Sequence, residues 1–461
     1  MARLHSDRYL SPVPSVREAA RVVYDHTRAL PLVCPHGHVP PGLLADDAPF
    51  SEPTSLLITP DHYLLRMLHS QGISLEMLGL GGSEADPREI WQLFADRYDL
   101  FLGTPSRAWL EYEFVEILGV DTPLTGDTAG EVYDLISRRL REPDFRPRAL
   151  FKRFGIEVLT TTDAATDDLS DHARLQEDGF RVLPCFRPDA LFAIAAPGWP
   201  RQLELLAGKT GSELRTFPAF LQALEERRAH FAAHGATATD HGVEVPLTHR
   251  LSDTEAAQIF QRALRGEASS VDESRFQAHM LVEMARMSCD DGLVMQLHAG
   301  SLRNHNRALF DRFGPDIGAD IPVAAEFTRN LRELLIAYGN HPRFRLVLFT
   351  LDESTYTREL APLAGHYPAV RLGPPWWFLD SIEGMARYRR AVTETAGIFN
   401  TAGFNDDTRA FLSIPARHDL ARRMDANYLG ELVARHELTL EQALGLGEQL
   451  AVGLARDTYR L

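Results

Sequence analysis

Residues 32–39 read LVCPHGHV, an apolar run that ends at Pro35 and is followed at once by His36 and His38. The apolar run is typical of a buried strand, and side chains two positions apart on an extended backbone point to the same side. Imidazole is the commonest protein ligand for transition metals, so the pair indicates a metal site at the end of a strand. An isolated pair of this kind is more often part of an ordinary polar loop. The rest of the chain has to distinguish the two interpretations.

The composition predicts a globular, cytoplasmic protein. Of the 461 residues, 44% are hydrophobic and 24% are charged, which is typical of a soluble chain. The formal net charge of −16 argues against a nucleic-acid partner, which would favour a basic surface. Cys34, Cys185 and Cys289 are too far apart in sequence for a disulfide framework and suit a reducing compartment. No apolar run has the length of a membrane span. The sequence does not decide between a monomer and a homo-oligomer.

Eight short apolar segments alternate with helical stretches, which is the pattern of a parallel β/α fold. The segments are residues 30–36, 156–162, 180–186, 235–241, 292–298, 344–350, 369–376 and 397–404. Most are almost continuously apolar, as strands covered on both faces are. Eight such strands predict a closed (β/α)8 barrel of the TIM type. The alternative is an open doubly wound sheet, which usually has a glycine-rich phosphate turn where this chain has PHGH.

The connections divide the chain into four predicted parts: a first helix and strand one in residues 1–39, a helical insertion in residues 40–150, the remainder of the barrel in residues 151–415, and C-terminal helices in residues 416–461. The first helix is predicted to begin at Ser15, with Glu18 as its capping-box partner. A late helix is predicted to begin at Thr439, with Gln442 in the same role.

Polar residues follow the predicted strands, where a (β/α)8 barrel places its working residues. Beyond the two histidines they are Asp163, Arg187, Asp240, His241, His298, Arg303, Asn304, Trp376, Trp377, Asp406, Asp407 and Arg409. Strands one and eight are neighbours in such a barrel, so the histidine pair should meet one of the two adjacent aspartates. Two nitrogens and one carboxylate leave coordination positions for water or substrate, as a catalytic zinc-type site needs. Alternation along the strand does not fix which aspartate faces inward.

These residues make the chain resemble the uronate isomerases of the amidohydrolase superfamily, which combine a strand-one HxH with a strand-eight aspartate. The similar segments span most of the chain in the expected order: PHGHVPP (35–41), DHYLLRMLHSQGI (61–73), LTTTDAATDDL (159–169), VLPCFRPD (182–189), TDHG (239–242), MQLHAGSLRN (295–304), GPPWWFLDS (373–381) and GFNDDTRAFLS (403–413). Pro35, Gly37 and the NDDTR sequence differ from the family's commoner DYHCH and TDSR forms, which indicates a divergent branch.

The resemblance implies an enzyme that interconverts D-glucuronate or D-galacturonate with the 2-keto form, D-fructuronate or D-tagaturonate, by proton transfer through an enediol. It implies one divalent metal, with Zn²⁺ the first expectation, held by His36, His38 and Asp407. Asp407 would also be the base near C2. Tyr63 would donate a hydrogen bond to the C1 oxygen, and His62 would order the sugar hydroxyls.

Further residues are expected to bind the substrate. Arg187 is the candidate for the C6 carboxylate, because a guanidinium can donate two parallel hydrogen bonds to a carboxylate. Arg409 would stabilise the enediolate oxygens. The remaining expected substrate contacts are His298, Trp376, Arg303, Asp240 and His241.

Two other functions stay open at this point. A metal-dependent hydrolase on the same fold, such as a sugar-acid lactonase or a deaminase, usually adds metal ligands on strands four to six. Here strand five has His298, but FTLDES (349–354) has no histidine and TATDHG (237–242) has no lysine. A sugar-acid-binding protein without activity would explain Arg187 and the tryptophans, but not the HxH pair.

Overall fold

A ring of parallel strands forms the centre of the protein. The computed structural model describes residues 4–461. Its strands are β1 (Leu32–Cys34), β2 (Ile156–Thr160), β3 (Asp163–Ala164), β4 (Val182–Leu183), β5 (Phe186–Arg187), β6 (Ala238–Val243), β7 (Val294–Ala299), β8 (Ser301–Leu302), β9 (Ile321–Pro322), β10 (Leu346–Thr350) and β11 (Val370–Leu372). One sheet has the order β1-β2-β4 and a second the order β11-β10-β7-β6-β5-β3, and every pair within them is parallel. The predicted (β/α)8 barrel is confirmed.

The eighth position of the ring is shorter than predicted. Only Thr401 forms a parallel bridge to Leu372 of β11, directly after a 3-10 turn at Ile398–Asn400. Gly397 and Gly403, with φ of +73° and +76°, interrupt the extended backbone on either side. The predicted strand over 397–404 is therefore too long. The ring is closed further on, where the His38 amide donates a hydrogen bond of 2.9 Å to the Thr408 carbonyl.

Side chains alternate between the barrel interior and the surrounding helices. Val294 of β7 and Val347 of β10 belong to the interior cluster of apolar residues, whereas Met295 and Leu346 belong to the large cluster that includes the outer helices. This is the two-residue period of a strand covered on both faces. The same period directs Gln296 and His298 of β7 inward.

In residues 4–461, twenty-one α-helices surround the ring. Those before β2 are α1 (Pro14–Thr27), α2 (Pro41–Asp46), α3 (Pro53–Leu57), α4 (His62–Ser70), α5 (Pro87–Ala95), α6 (Pro105–Tyr112), α7 (Ala129–Arg139) and α8 (Pro147–Arg153). Those between β3 and β11 are α9 (Ser170–Glu177), α10 (Asp189–Phe192), α11 (Trp199–Thr210), α12 (Phe217–Ala233), α13 (Asp253–Leu264), α14 (Ser270–Asp291), α15 (Arg307–Phe313), α16 (Arg332–Tyr338) and α17 (Ala361–Ala364). The last are α18 (Ile382–Ala396), α19 (Ile414–Ala434), α20 (Leu440–Glu448) and α21 (Leu454–Tyr459). Among these helices of the described chain, none is both long enough and apolar enough to span a membrane.

The two predicted helix starts have different outcomes. Helix α20 begins as predicted, because Thr439 and Gln442 form a reciprocal capping box. Helix α1 begins one residue earlier than predicted, at Pro14, and no side chain caps it. Proline is favoured at the first helical position, where its missing N–H costs nothing, so Ser15 lies inside the helix.

Two connections bring additional residues towards the barrel. Strands β8 and β9 form an antiparallel hairpin after β7, which the sequence analysis did not predict. At the end of the chain, α21 places the Tyr459 side chain in the interior apolar cluster. The barrel is thus contacted by the hairpin and by the C-terminal helix.

Candidate active site

A cavity of about 1040 Å³ opens where the barrel strands end. Its walls include His36 and His38 after β1, Asp240 in β6, His298 in β7 and Asp407 in the eighth position. Helix α4 contributes His62 and Tyr63 from the segment after β1, and the hairpin contributes Arg303. The carboxyl ends of the strands are where barrels of this type hold their reacting groups.

Four of these residues, His36, His38, His298 and Asp407, are here named the front cluster. Asp407 Oδ1 lies 3.5 Å from His36 Nε2 and 3.1 Å from His38 Nε2. Ligand atoms of His36, His298 and Asp407 lie within 4.8 Å of one another. Asp407 Oδ1 and His298 Nε2 are buried without a hydrogen-bond partner. Imidazole nitrogens and a carboxylate oxygen that converge without bonding one another form a donor set suited to a divalent transition metal.

The charge states of the front cluster also suit ligands. Burial lowers the pKa of His36 to about 4, so its imidazole is neutral near pH 7. Burial opposes ionisation of Asp407, but the neighbouring His36 and His38 outweigh it and hold the pKa of Asp407 below its usual value. Metal ligation requires neutral imidazole and ionised carboxylate, the forms that His36 and Asp407 take here.

The structure separates the two adjacent aspartates. Asp407, with a left-handed φ of +35°, turns its carboxylate to the histidine pair, whereas Asp406 points the opposite way. Asp406 Oδ2 lies 3.2 Å from His418 Nε2, which is 3.6 Å from the Cys34 thiol. Cys34, Asp406 and His418 are here named the back cluster. The choice between Asp406 and Asp407 is settled in favour of Asp407 as the residue that faces the cavity.

A chain of polar contacts extends from His298 to Arg187. His298 Nδ1 is 2.7 Å from Asp240 Oδ1, and Arg187 Nη1 is 3.1 Å from Asp240 Oδ2. Arg187 Nε donates to Asp189 at 2.9 Å. Burial opposes the charge on Arg187, but Asp240 and Asp189 raise its pKa. A Cβ at Gly242 would lie 2.7 Å from Arg187 Nη2, so the guanidinium is held closely against β6.

Tyr63 and His62 form an aromatic wall with two tryptophans. Their rings are stacked at 4.5 Å, with Trp109 against Tyr63 at 5.6 Å and Trp377 against His62 at 5.4 Å. Burial raises the pKa of Tyr63 and lowers that of His62 to about 3. Tyr63 therefore keeps its phenolic proton and can donate a hydrogen bond at neutral pH.

Two further arginines line the cavity with looser contacts. Arg409 is 3.4 Å from Asp316, and both side chains are partly exposed. Arg303 is 2.9 Å from Asp320, and its guanidinium lies 5.0 Å from the centre of the Trp377 ring. An ion pair exposed on both sides is weak, so Arg409 can exchange Asp316 for an anionic ligand at small cost. Arg303 is itself partly exposed, but its partner Asp320 is buried, so this contact is less easily exchanged.

Comparison with known proteins identifies the family. The profile of the glucuronate isomerase family matches residues 1–451. A uronate isomerase of Nostoc punctiforme is 55% identical over 464 residues, covering 99% of this chain and 98% of the relative. Two crystal structures are similar throughout. Glucuronate isomerase from Caulobacter crescentus has a TM-score of 0.97 and 47% identity, and the match covers 99% of this chain and 97% of that one. Uronate isomerase from Thermotoga maritima has a TM-score of 0.94 and 26% identity, and the match covers all of both chains.

The chain belongs to the glucuronate isomerase family. Membership in this family confirms the resemblance and the expected aldose–ketose isomerase. It gives no support to the hydrolase alternative. A further similar structure, from Lactobacillus casei, is described as a putative metal-dependent hydrolase, but at 16% identity and a TM-score of 0.55 it reflects the shared fold alone.

Most of the residues predicted for this isomerase lie at the cavity. They are His36, His38, His62, Tyr63, Arg187, Asp240, His298, Arg303, Trp376, Asp407 and Arg409. His298 was expected against the substrate, but the structure brings its ring within 4.8 Å of His36, into the front cluster. Trp376 contacts His298 edge-on at 4.8 Å, and Trp377 also faces the cavity.

Of the residues expected to bind metal or substrate or to act in catalysis, all of them within the described chain, His241 alone lies away from the cavity. Its ring is fully buried on the outer side of β6, stacked on Phe192 at 6.5 Å and 3.1 Å from the Thr239 hydroxyl. Asp240 and Gly242 face the cavity, so strand alternation directs His241 to the helices. The prediction that His241 contacts the substrate is corrected on this ground.

Several residues around this isomerase site were not predicted from the sequence. Asp189 and Gly242 fix Arg187, and Arg417 lies 3.6 Å from the centre of the Trp109 ring, behind Tyr63. Gln296 contacts His36 from inside the barrel. For Gln296 a signal existed, because a glutamine two residues before His298 in an apolar strand must face the same interior.

Proposed function

We propose that this chain interconverts a hexuronate, D-glucuronate or D-galacturonate, with its 2-keto form in the cavity described above. The observation that carries the proposal is that one carboxylate, Asp407, faces both the histidine pair and an open cavity lined by arginines. The chain has a net negative charge, yet Arg187, Arg303 and Arg409 line the cavity. These cations favour the binding of an acidic substrate there.

One divalent metal, Zn²⁺ by its preference for such donors, would be held by His36, His38 and Asp407, with His298 as a further donor. The unpartnered Asp407 Oδ1 and His298 Nε2 support this assignment, because buried polar atoms are rarely left without a partner. When bound, such an ion would orient and polarise the oxygens of the open-chain sugar acid.

The proton transfer is assigned to Asp407 and Tyr63. Asp407 would take the proton from C2, and the C–H electron pair would form the C1–C2 double bond of a cis-enediol. The same carboxyl would return the proton to C1 as the C2–O bond becomes the carbonyl, and the proton of the C2 hydroxyl would pass to the C1 oxygen. Tyr63 would donate to the C1 oxygen, since it keeps its phenolic proton, and His62 would order the neighbouring hydroxyls. The low pKa of Asp407 keeps it ionised and ready to accept, at some loss of basicity.

The remaining residues would hold the sugar acid in place. Arg187, which Asp240 and Asp189 hold at the cavity wall, would bind the C6 carboxylate. Arg409 would face the enediolate oxygens. Trp376, Arg303 and the His298–Asp240 pair would contact the hydroxyls and the apolar face. The free, buried cysteines favour a cytoplasmic location.

A proton NMR time course in D₂O tests the proposal directly. The purified, zinc-loaded protein is mixed with D-glucuronate and, separately, with D-galacturonate, and Asp407→Asn serves as the inactive control. Ketose resonances with deuterium at C1 are expected. Ketose without solvent deuterium would replace the enediol by a hydride shift or a shielded transfer. No change in either sugar would overturn the isomerase proposal, and a sugar-acid lactone would then be tested as substrate.

A further inference from the structure

Gln296 lies at the centre of the barrel between a metal-ligand candidate and the end of the chain. Its side-chain Nε2 is 3.3 Å from His36 Nδ1, and its Oε1 accepts a hydrogen bond of 3.0 Å from the Tyr459 hydroxyl. Tyr459 is two residues from the C-terminus and reaches this position because α21 packs against the barrel interior. A line of contacts therefore joins the C-terminal helix to His36.

The neutral imidazole of His36 carries one proton, either on Nδ1 or on Nε2. With Gln296 Nε2 donating to Nδ1, the ring proton sits on Nε2, the nitrogen that faces Asp407. That tautomer has no lone pair to offer a metal at Nε2. The metal-ligating tautomer carries its proton on Nδ1 and needs an acceptor there.

Gln296 can supply this acceptor by turning its terminal amide, with the rest of the side chain left in place. The oxygen and nitrogen of a carboxamide have nearly the same shape, so a half turn of the amide presents Oε1 to His36 Nδ1 and Nε2 to the Tyr459 oxygen. The Asn405 side chain, beside the Tyr459 hydroxyl, is then its second partner. Gln296 is fully buried and Tyr459 nearly so, which leaves the amide as the available acceptor for this nitrogen.

We propose that Gln296 is a positioning residue for metal binding, which accepts the Nδ1 proton of His36 and is itself held by the Tyr459 hydroxyl. The inference rests on the metal site proposed above. It implies that the C-terminal helix, although remote from the cavity opening, contributes to metal affinity. Outer partners of ligating histidines are generally worth about 10- to 100-fold in affinity or activity.

The test is the Zn²⁺ dissociation constant, measured by competition with a chromophoric chelator. Gln296→Met, which removes the amide acceptor at similar length, should weaken Zn²⁺ binding by about 10- to 100-fold. Gln296→Glu, a permanent acceptor, should bind at least as tightly as the wild type. Tyr459→Phe should lie between the wild type and Gln296→Met. Cys185→Ala is the matched control, because it removes a weaker 3.6 Å contact of Gln296 Nε2 and leaves the amide itself in place.

A second measurement separates this inference from the metal site itself. If His36→Ala weakens Zn²⁺ binding but folded Gln296→Met binds as the wild type does, the positioning role is overturned and the metal site stands. If His36→Ala and Asp407→Asn bind Zn²⁺ normally, the proposed metal site fails. Should Gln296→Met not fold, the order Gln296→Glu tighter than Tyr459→Phe is still expected, and equal affinities would contradict the inference. The visible spectrum of the Co²⁺-loaded protein, which reports ligand geometry, should change in Tyr459→Phe but not in Cys185→Ala.

Discussion

The front and back clusters lie on opposite sides of the same two chain segments. Both bring ligand atoms of three residues within 4.8 Å of one another: His36, His298 and Asp407 on one side, and Cys34, Asp406 and His418 on the other. They differ in access. In the front cluster His38 and Asp407 are partly exposed to the large cavity, whereas all three side chains of the back cluster are at most 2% exposed.

The two clusters show that donor chemistry alone does not define an active site. In the back cluster His418 Nε2 lies between the Cys34 thiol and Asp406, and burial raises the pKa of Cys34, so the thiol stays protonated. In the front cluster Asp407 Oδ1 and His298 Nε2 are left without partners beside the cavity. The front cluster is therefore expected to serve turnover, and the back cluster to stabilise the segment that carries Asp407.

The largest effect on turnover is expected from replacing Asp407 of the front cluster. Asp407→Asn removes both the proposed base and a metal donor, so kcat should fall by about 10³-fold or more while the protein stays folded. Steady-state kinetics with circular dichroism as the folding control checks this. Turnover near that of the wild type would contradict the catalytic role of the front cluster, and with it the proposed difference between the two clusters.

Arg187 tests the substrate side of the front cluster. Arg187→Met should raise KM for a uronate by roughly 30- to 150-fold, corresponding to about 2–3 kcal/mol for a charge-assisted hydrogen bond. Arg303→Met is the matched control, because Arg303 is more exposed and its loss should raise KM far less. If Arg303→Met has the larger effect, the C6 carboxylate binds at the hairpin instead.

The back cluster should respond in stability more than in turnover. Asp406→Asn weakens the contact with His418 and should lower the free energy of unfolding by about 1–3 kcal/mol, the usual effect of disturbing a buried hydrogen bond. Urea denaturation measures this loss, and the same samples give kcat. A loss of turnover as large as that of Asp407→Asn would show that the two clusters act as one.

The buried carboxyl of Glu113, close to Asp61 and Arg417, predicts a pH dependence of stability. Burial raises the pKa of Glu113 from 4.5 to about 8, with Asp61 adding to the rise and Arg417 opposing it. Between these values the folded state keeps a proton that the unfolded state has released, so rising pH lowers stability. Relative to Glu113→Gln, the wild type should lose about 1 kcal/mol of unfolding free energy from pH 6 to pH 7. The unfolding free energies of both proteins are measured by urea denaturation at the two pH values. If the difference between wild type and Glu113→Gln is the same at pH 6 and pH 7, the raised pKa is contradicted.

Much of the fold follows from local sequence, because a strand covered on both faces must be apolar. The segments at 344–350 and 292–298 contain β10 and most of β7 for this reason. The eighth strand was predicted too long, because two glycines with positive φ interrupt an apolar segment that would otherwise extend. The hairpin of β8 and β9 was missed, since two-residue strands leave almost no periodic pattern to detect.

The amino-acid sequence was enough to predict the barrel class, the histidine pair and the set of polar residues at the strand ends. These depend on residue type and on short-range periodicity, which the chain carries locally. Tertiary structure was needed to show that Asp407 rather than Asp406 faces the cavity, that His241 faces the helices, and that Gln296 and Tyr459 meet behind His36. The first and the last depend on a backbone angle or on contact between residues more than a hundred positions apart. The side that His241 faces depends on how the alternation of β6 is phased relative to the ring, which the sequence pattern does not fix.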